Sequence, residues 1–199
     1  MKILETERLI LREVTADDDE FILDLLNQPS FIKYIGDRGV RTLEQAREYI
    51  ESRFNKSYTE HGYGLYAVEL KNDAEDPMLA VSSNPKSEIQ NPKSGGTLPT
   101  GRVSALVAIG VCGFVKRDSL PEPDIGFALL PQYEGKGYAA ESARAMMDYG
   151  RDRLGFKRVL AITTLDNKAS GRLLEKLGFR FDREVQMGGE TLKLFSREL

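Results

Sequence analysis

A single cysteine, Cys112, stands in 199 residues. No disulfide framework can form, which fits a reducing compartment. Histidine is equally scarce: His61 is the only one, beside Gly62, and reads as a surface or turn residue. No His/Cys/Asp cluster has metal-ligand spacing, so no metal is expected. Stretches of about 18 apolar residues are missing too. The start, MKILETERLILRE, puts charges where a signal peptide carries its apolar run. The expectation is a soluble, cytoplasmic chain with no membrane partner. A basic excess is also lacking. Lys and Arg total 28 against 31 Asp and Glu, a net charge of −3. Proteins that grip phosphate backbones carry the opposite balance, which argues against nucleic acid.

Hydrophobic residues make up 41% and charged residues 30% of the chain, enough for an ordinary core. The length suits one domain, residues 1–199. Residues 8–12 (RLILR) read as a strand. Thr15 with Asp17 and Asp18 opens a helix, acids in the first turn, and Pro29 is expected to end it. Thr42 and Gln45 form a capping box for a second helix through Ala46, Tyr49, Ile50 and Phe54. Alternation at 62–70 marks a strand. Residues 72–101 break the pattern. They are polar and of low complexity, and the tetrapeptide NPKS at Asn84 returns at Asn91. Such a segment buries too little apolar area to offset its ordering entropy, so a disordered insertion between two strands is expected. Strands follow at 103–115, where Gly110 and Gly113 suggest a turn or bulge, and at 123–130. A helix carries Ala143, Met146 and Met147; then come a strand at 157–165, a helix at 167–177 stopped by Gly178, and a hairpin turning at Gly188 and Gly189. The fold class is α+β with a mixed sheet.

Between the strand at 123–130 and the next helix lies the segment QYEGKGYAA, residues 132–140. A helix start exposes N–H groups and the positive end of its dipole, which makes an anion site. Gly135 and Gly137 let backbone approach a phosphate, and Lys136 adds positive charge. Alone, the segment also matches the dinucleotide fingerprint G-x-G-x-x-A. Three residues, 132–134, separate the strand from the first glycine, where a dinucleotide turn is tight. The first acid in the ribose-binding region is Asp166, later than that fingerprint needs. No Ser or Thr follows Lys136, which excludes a Walker loop.

The stretches ETERLILR (5–12), IGVCGF (109–114), DIGF (124–127), GKGYA (135–139), DNKAS (166–170) and LEKLGF (174–179) occur in an order that resembles the GNAT superfamily of N-acetyltransferases. The likeness is to the branch that includes ribosomal-protein N-terminal acetyltransferases, and it spans the chain apart from the insertion. It implies a mostly antiparallel central sheet flanked by helices, and acetyl-CoA as co-substrate. The strand before the loop would pair its backbone at Phe127, Ala128 and Leu129 with the pantetheine arm. The amides of Gly135, Lys136, Gly137, Tyr138, Ala139 and Ala140 would take the pyrophosphate. Asn167 would hydrogen-bond the pantetheine, with Ser170 near the sulfur. Read by itself, Asn167 is equally a plain helix N-cap.

Asp124 is the first candidate for the base that takes the amine proton, with Glu122 as alternative; a cross-strand carboxylate is the structural reading of the same residue. Two positions depart from the resemblance. The family often has Gln or Arg where this chain has Glu134, which is expected to point to solvent. Many relatives carry a tyrosine as thiolate acid seven residues after the helix-start Asn, and here that residue is Leu174. Ser170 or a water is left for that task. Cys112, in an apolar strand, reads as inert filler. Tyr34, Tyr58, Tyr63 and Phe195 either line an acceptor cleft or fill the core. The acceptor is expected to be an amine, on a peptide N-terminus or a small molecule. The competing functions are a catalytically silent acyl-CoA-binding sensor of the same fold and a dinucleotide-dependent oxidoreductase. An edge strand or the hairpin leaves room for a homodimer.

Overall fold

The computed structural model describes residues 1–71 and 106–199. The insertion expected at 72–101 lies outside the described residues, as does the start of the strand expected from Val103. Eight strands form one sheet among the described residues: β1 (Lys2–Glu5), β2 (Leu9–Arg12), β3 (Leu65–Leu70), β4 (Val107–Val115), β5 (Asp124–Leu129), β6 (Arg158–Thr164), β7 (Arg180–Met187) and β8 (Glu190–Glu198). Their order is β1-β2-β3-β4-β5-β6-β8-β7. Only β5 and β6 run parallel, joined through α5 (Tyr138–Asp152), because a parallel pair needs a long crossover. The other helices are α1 (Asp19–Leu26), α2 (Pro29–Tyr34), α3 (Leu43–Tyr49), α4 (Lys56–His61) and α6 (Lys168–Lys176). No described helix is long and apolar enough to cross a membrane.

Cross-strand partners share a sheet face. Phe114 lies opposite Ile125, and its ring is so close to α5 that a Cβ on Gly150 would sit 2.7 Å away. That face, with Cys112, Met146 and Met147 all buried, is the core under α5. The alternate residues of β5 therefore face away from α5. Leu160, the register partner of Asp124, packs on this second face with Leu120 and Leu194 in a smaller cluster.

Several elements differ from expectation. Strand β1 was not anticipated, because four residues with one apolar pair carry little periodicity; it forms by pairing with β2. Pro29 does not end the first helix. The helix stops at Leu26, with Asn27 as its cap, and Pro29 opens α2 at the first helical position, where its missing N–H costs nothing. The second helix does not run through Phe54 as one regular α-helix. A π-helical stretch, Ile50–Asn55, links α3 to α4. Ala46, Ile50 and Phe54 are all buried, and their four-residue spacing drifts about 40° per step on an α-helix. The wider π turn absorbs that drift and keeps all three on the core side. His61 ends α4, exposed, before Gly62. The capping box is formed: Gln45 N–H donates to Thr42 Oγ1 at 3.2 Å, and Gln45 Oε1 accepts from Thr42 N–H at 3.2 Å.

Candidate active site

Strands β5 and β6 touch at one end and part at the other. Among the described residues their single register pair is Asp124 with Leu160, beside a hydrogen bond from Leu160 N–H to Pro123 O of 2.9 Å. No pair joins them through residues 125–129, so the sheet opens into a gap. The phase of the β4–β5 ladder tells which backbone groups look into it. Leu130 N–H donates to Ile109 O at 2.9 Å and Ala128 lies opposite Val111, so even-numbered residues of β5 direct their N–H and C=O to β4. Phe127 and Leu129 direct theirs to the gap. Of the three residues expected there, Ala128 has its backbone turned the other way. Gly110, on the far side of the ladder, admits β5 closely: a Cβ there would lie 2.3 Å from Ala128 O. The bulge falls between Val68 and Glu69 against Gly110 and Ala108.

The gap opens toward the glycine segment. Pro131–Tyr133 forms one 3-10 turn, Glu134 is extended and exposed, and Gly137 is the N-cap of α5 with φ of +86°. A side chain is strained in that conformation. No side chain caps the helix, and its first bond of this kind runs from Glu141 N–H to Gly137 O at 3.0 Å. The N–H groups of Tyr138, Ala139 and Ala140 precede it and have no intrahelical acceptor. Glycines, amides and the dipole of a 15-residue helix thus converge at the mouth of the gap. Lys136 Nζ sits 5.7 Å from the Tyr133 ring centroid.

A cluster that sequence reasoning missed holds this loop from behind. Arg8, before β2, donates from Nε to Glu141 Oε2 at 2.7 Å and from Nη1 to Lys136 O at 3.1 Å. Its Nη2 lies 2.6 Å from the same carboxylate, and its guanidinium stacks 4.6 Å over the Tyr138 ring. Glu141 also accepts from Arg8 N–H at 3.0 Å and from Thr6 Oγ1 at 2.6 Å. Burial alone would raise the Glu141 carboxyl, but these donors outweigh it and hold it below its ordinary range. The only signal was the ETERLILR stretch itself, whose Thr6 and Arg8 had no role in a linear reading.

Across the gap, Asn167 caps α6, its Oδ1 accepting from Ser170 N–H at 3.0 Å. Both residues are half-buried at the first turn. The preceding Asp166 is bridged to Lys33 of α2 at 3.1 Å. Leu174 is 1% exposed and part of the main core, so that position offers no hydroxyl to the gap.

Asp124 sits where the two strands meet, on the face away from α5. It is 1% exposed, and Arg117 Nε donates to its Oδ1 at 2.8 Å. Burial pushes the carboxyl above its ordinary range, and the Arg117 charge only partly opposes this. Gly126 follows on the same face. Glu122 lies near Arg158 instead, at 3.9 Å. The aromatic candidates divide. Tyr58 is stacked on Tyr66 at 5.3 Å, and its hydroxyl donates to Leu65 O. Tyr63 packs edge-on against Phe114 and Phe156, and Phe195 is buried. All three are core. Tyr34 is half-buried beside Lys33. Cys112 is wholly buried, which pushes its thiol up to about 12.

Known proteins resemble this chain in sequence or in fold. N-acetyltransferase YoaA of Bacillus subtilis, itself uncharacterized, is 28% identical over 179 residues, covering 89% of this chain and 82% of that one. The coenzyme A complex of RimL, a ribosomal L7/L12 alpha-N-protein acetyltransferase, superimposes with a TM-score of 0.69 at 15% identity, covering 100% of this chain and 98% of that chain. Spermidine N-acetyltransferase from Vibrio cholerae, in complex with CoA and spermine, does so at 0.67 and 16%, covering 97% and 96%. The two scores are nearly equal, so the backbone does not select the ribosomal-protein branch over its neighbours. The family described as the acetyltransferase (GNAT) domain matches residues 8–180. The chain belongs to the GNAT acetyltransferase family.

Proposed function

We propose that this protein transfers the acetyl group of acetyl-CoA to a primary amine, on a protein N-terminus or a small molecule, by direct attack in a ternary complex. The observation that carries this reading is the divergence of β5 from β6 beside an uncapped helix N-terminus. The open backbone of Phe127 and Leu129 would pair with the pantetheine arm, while Ala128 contributes only a small side chain to the wall. The amides from Gly135 through Lys136, Gly137, Tyr138 and Ala139 to Ala140 would hold the pyrophosphate, for the reason that anions bind helix starts. Asn167 spends Oδ1 on Ser170 N–H and keeps its NH2 group for the pantetheine; Ser170 would lie near the sulfur.

Acetyl-CoA supplies an activated thioester. The amine nitrogen attacks its carbonyl carbon, a C–N bond forms and the C–S bond breaks. The amine must first be neutral. With a pKa of about 7.7–8.0, roughly a tenth of α-amines are neutral at pH 7, against well under a thousandth of lysines near 10.4. Asp124 would accept the departing proton, directly or through one water. Its upward-shifted pKa makes it a better base than an ordinary aspartate. The thiolate takes a proton from water or from the Ser170 hydroxyl, which a leaving thiol of pKa about 8.5 tolerates.

Two observations favour a second reading, an acyl-CoA-binding protein that does no chemistry: Leu174 is in the core, and Asp124 is tied to Arg117. Calorimetric binding of acetyl-CoA, followed by thiol release across a panel of small amines and peptides with free N-termini, separates them. Release with an acetylated product seen by mass spectrometry supports transfer. Binding with no release from any acceptor supports the second reading, and no binding removes both.

A further inference from the structure

We infer that Arg8 is a positioning residue for the pyrophosphate loop: it fixes the Lys136–Gly137 peptide and cancels the Glu141 charge, so that the loop is fit to hold an anion. The inference rests on the acetyl-CoA reading above and goes beyond it to a residue 133 positions from its partner Glu141. Two independent observations carry it.

The first is geometric. Arg8 Nη1 holds Lys136 O at 3.1 Å. A trans peptide sets C=O and N–H on opposite sides, so drawing the Lys136 carbonyl toward Arg8 turns Gly137 N–H away from it, toward the mouth of the gap. Gly137 has the positive φ that only glycine adopts cheaply, and a Cβ there would meet Arg8 Nη2 at 3.4 Å. The guanidinium thus backs the loop at its most permissive point. Its stacking over Tyr138 and its fork onto Glu141 leave it little freedom to follow the loop elsewhere.

The second is electrostatic. Residues 132–141 hold two carboxylates, Glu134 and Glu141, against one ammonium, Lys136. Without a further cation that stretch is net negative, the wrong sign for a pyrophosphate. Glu141 lies in the first turn of α5, where the donated hydrogen bonds keep it ionised. Arg8 brings the sum to zero by pairing with Glu141 from the side away from the gap, which leaves the α5 dipole to act on the ligand. Arg8 itself does not touch the ligand in this account.

The test compares coenzyme A with pantetheine, which lacks the pyrophosphate, in calorimetric titrations of the full chain. Arg8→Gln is expected to weaken coenzyme A by about tenfold, the scale of one charge-assisted hydrogen bond, and pantetheine by less than about twofold. Arg8→Lys keeps the charge and loses the planar fork, so it recovers part of that loss. Should Arg8→Gln not fold, Thr6→Ala, which removes one donor to Glu141, is expected to show the same selectivity at smaller size. Equal weakening of both ligands would mean a general structural role and would overturn the inference. So would coenzyme A affinity within about twofold of wild type in a folded variant. Wild-type protein that binds no coenzyme A overturns the acetyltransferase reading and this inference together, whereas wild-type binding with an unaffected Arg8→Gln sinks the inference alone.

Discussion

Two carboxylate–arginine pairs stand at the two ends of β5, and they behave oppositely. At the open end, Glu141 meets Arg8 at 2.6 Å; at the closed end, Asp124 meets Arg117 at 2.8 Å. The distances are alike and each pair holds one cation, yet Glu141 is shifted down and Asp124 up. The difference lies in donors and solvent. Glu141 accepts from a hydroxyl, a backbone N–H and a guanidinium fork, and it keeps some exposure. Asp124 accepts from the Arg117 guanidinium and is nearly sealed. Hydrogen bonds to the ionised form win in the first case and desolvation wins in the second. The first arrangement suits a fixed structural anion, the second a group that exchanges a proton.

The sharpest way to break this contrast is Asp124→Asn. If the buried carboxylate is the base, turnover falls on the order of 10²-fold while acetyl-CoA affinity is kept; unchanged turnover with a confirmed acceptor removes Asp124 from the role. Arg117→Gln takes away the charge that lowers the Asp124 pKa. The base then stays protonated to higher pH, so the acidic limb of the kcat/KM profile moves toward higher pH; a limb that stays put assigns it to another group. The smallest effects are on stability. The folded Glu141 pKa lies below its unfolded value of about 4.3, so its contribution is present above that pH and is lost as pH falls through the folded pKa. Glu141→Gln should therefore melt about 2–4 °C lower near neutrality, with a gap to wild type that closes on acidification. Asp124, shifted up, contributes stability below about pH 4 that is lost as pH rises through its folded pKa. The difference between wild type and Asp124→Asn should run with the opposite slope. Parallel slopes in thermal melts across pH 3–8 would erase the comparison.

The parts of the site that sequence displayed are local ones. A helix start, two glycines and a lysine within ten residues announce an anion-binding turn because the chemistry is written along the chain. The Thr42–Gln45 capping box and the hairpin at Gly188 and Gly189 are legible for the same reason, each being a contact across a few residues. The π stretch was half legible: Ala46, Ile50 and Phe54 show a four-residue spacing, but only packing says that all three must reach the core. Pro29 was misjudged because proline opens helices as readily as it stops them. Leu174 was visible as a departure from the family pattern; its burial shows that the position has been given over to the core.

By itself, the sequence determined most of the alternation of helices and strands, that a glycine-bearing turn precedes a helix, and which residues resemble those of acetyltransferases. These follow from periodicity, capping and φ preference, which act over one to a few turns. Tertiary structure alone decided three things. Strand β8 enters between β6 and β7, β5 parts from β6 after a single register pair, and Arg8 reaches Glu141 from the other end of the chain. None leaves a local trace, because each depends on which surfaces meet once the core has closed. The gap exists because one strand is denied its neighbour, and the loop at its mouth is held in place by an arginine from a distant strand start.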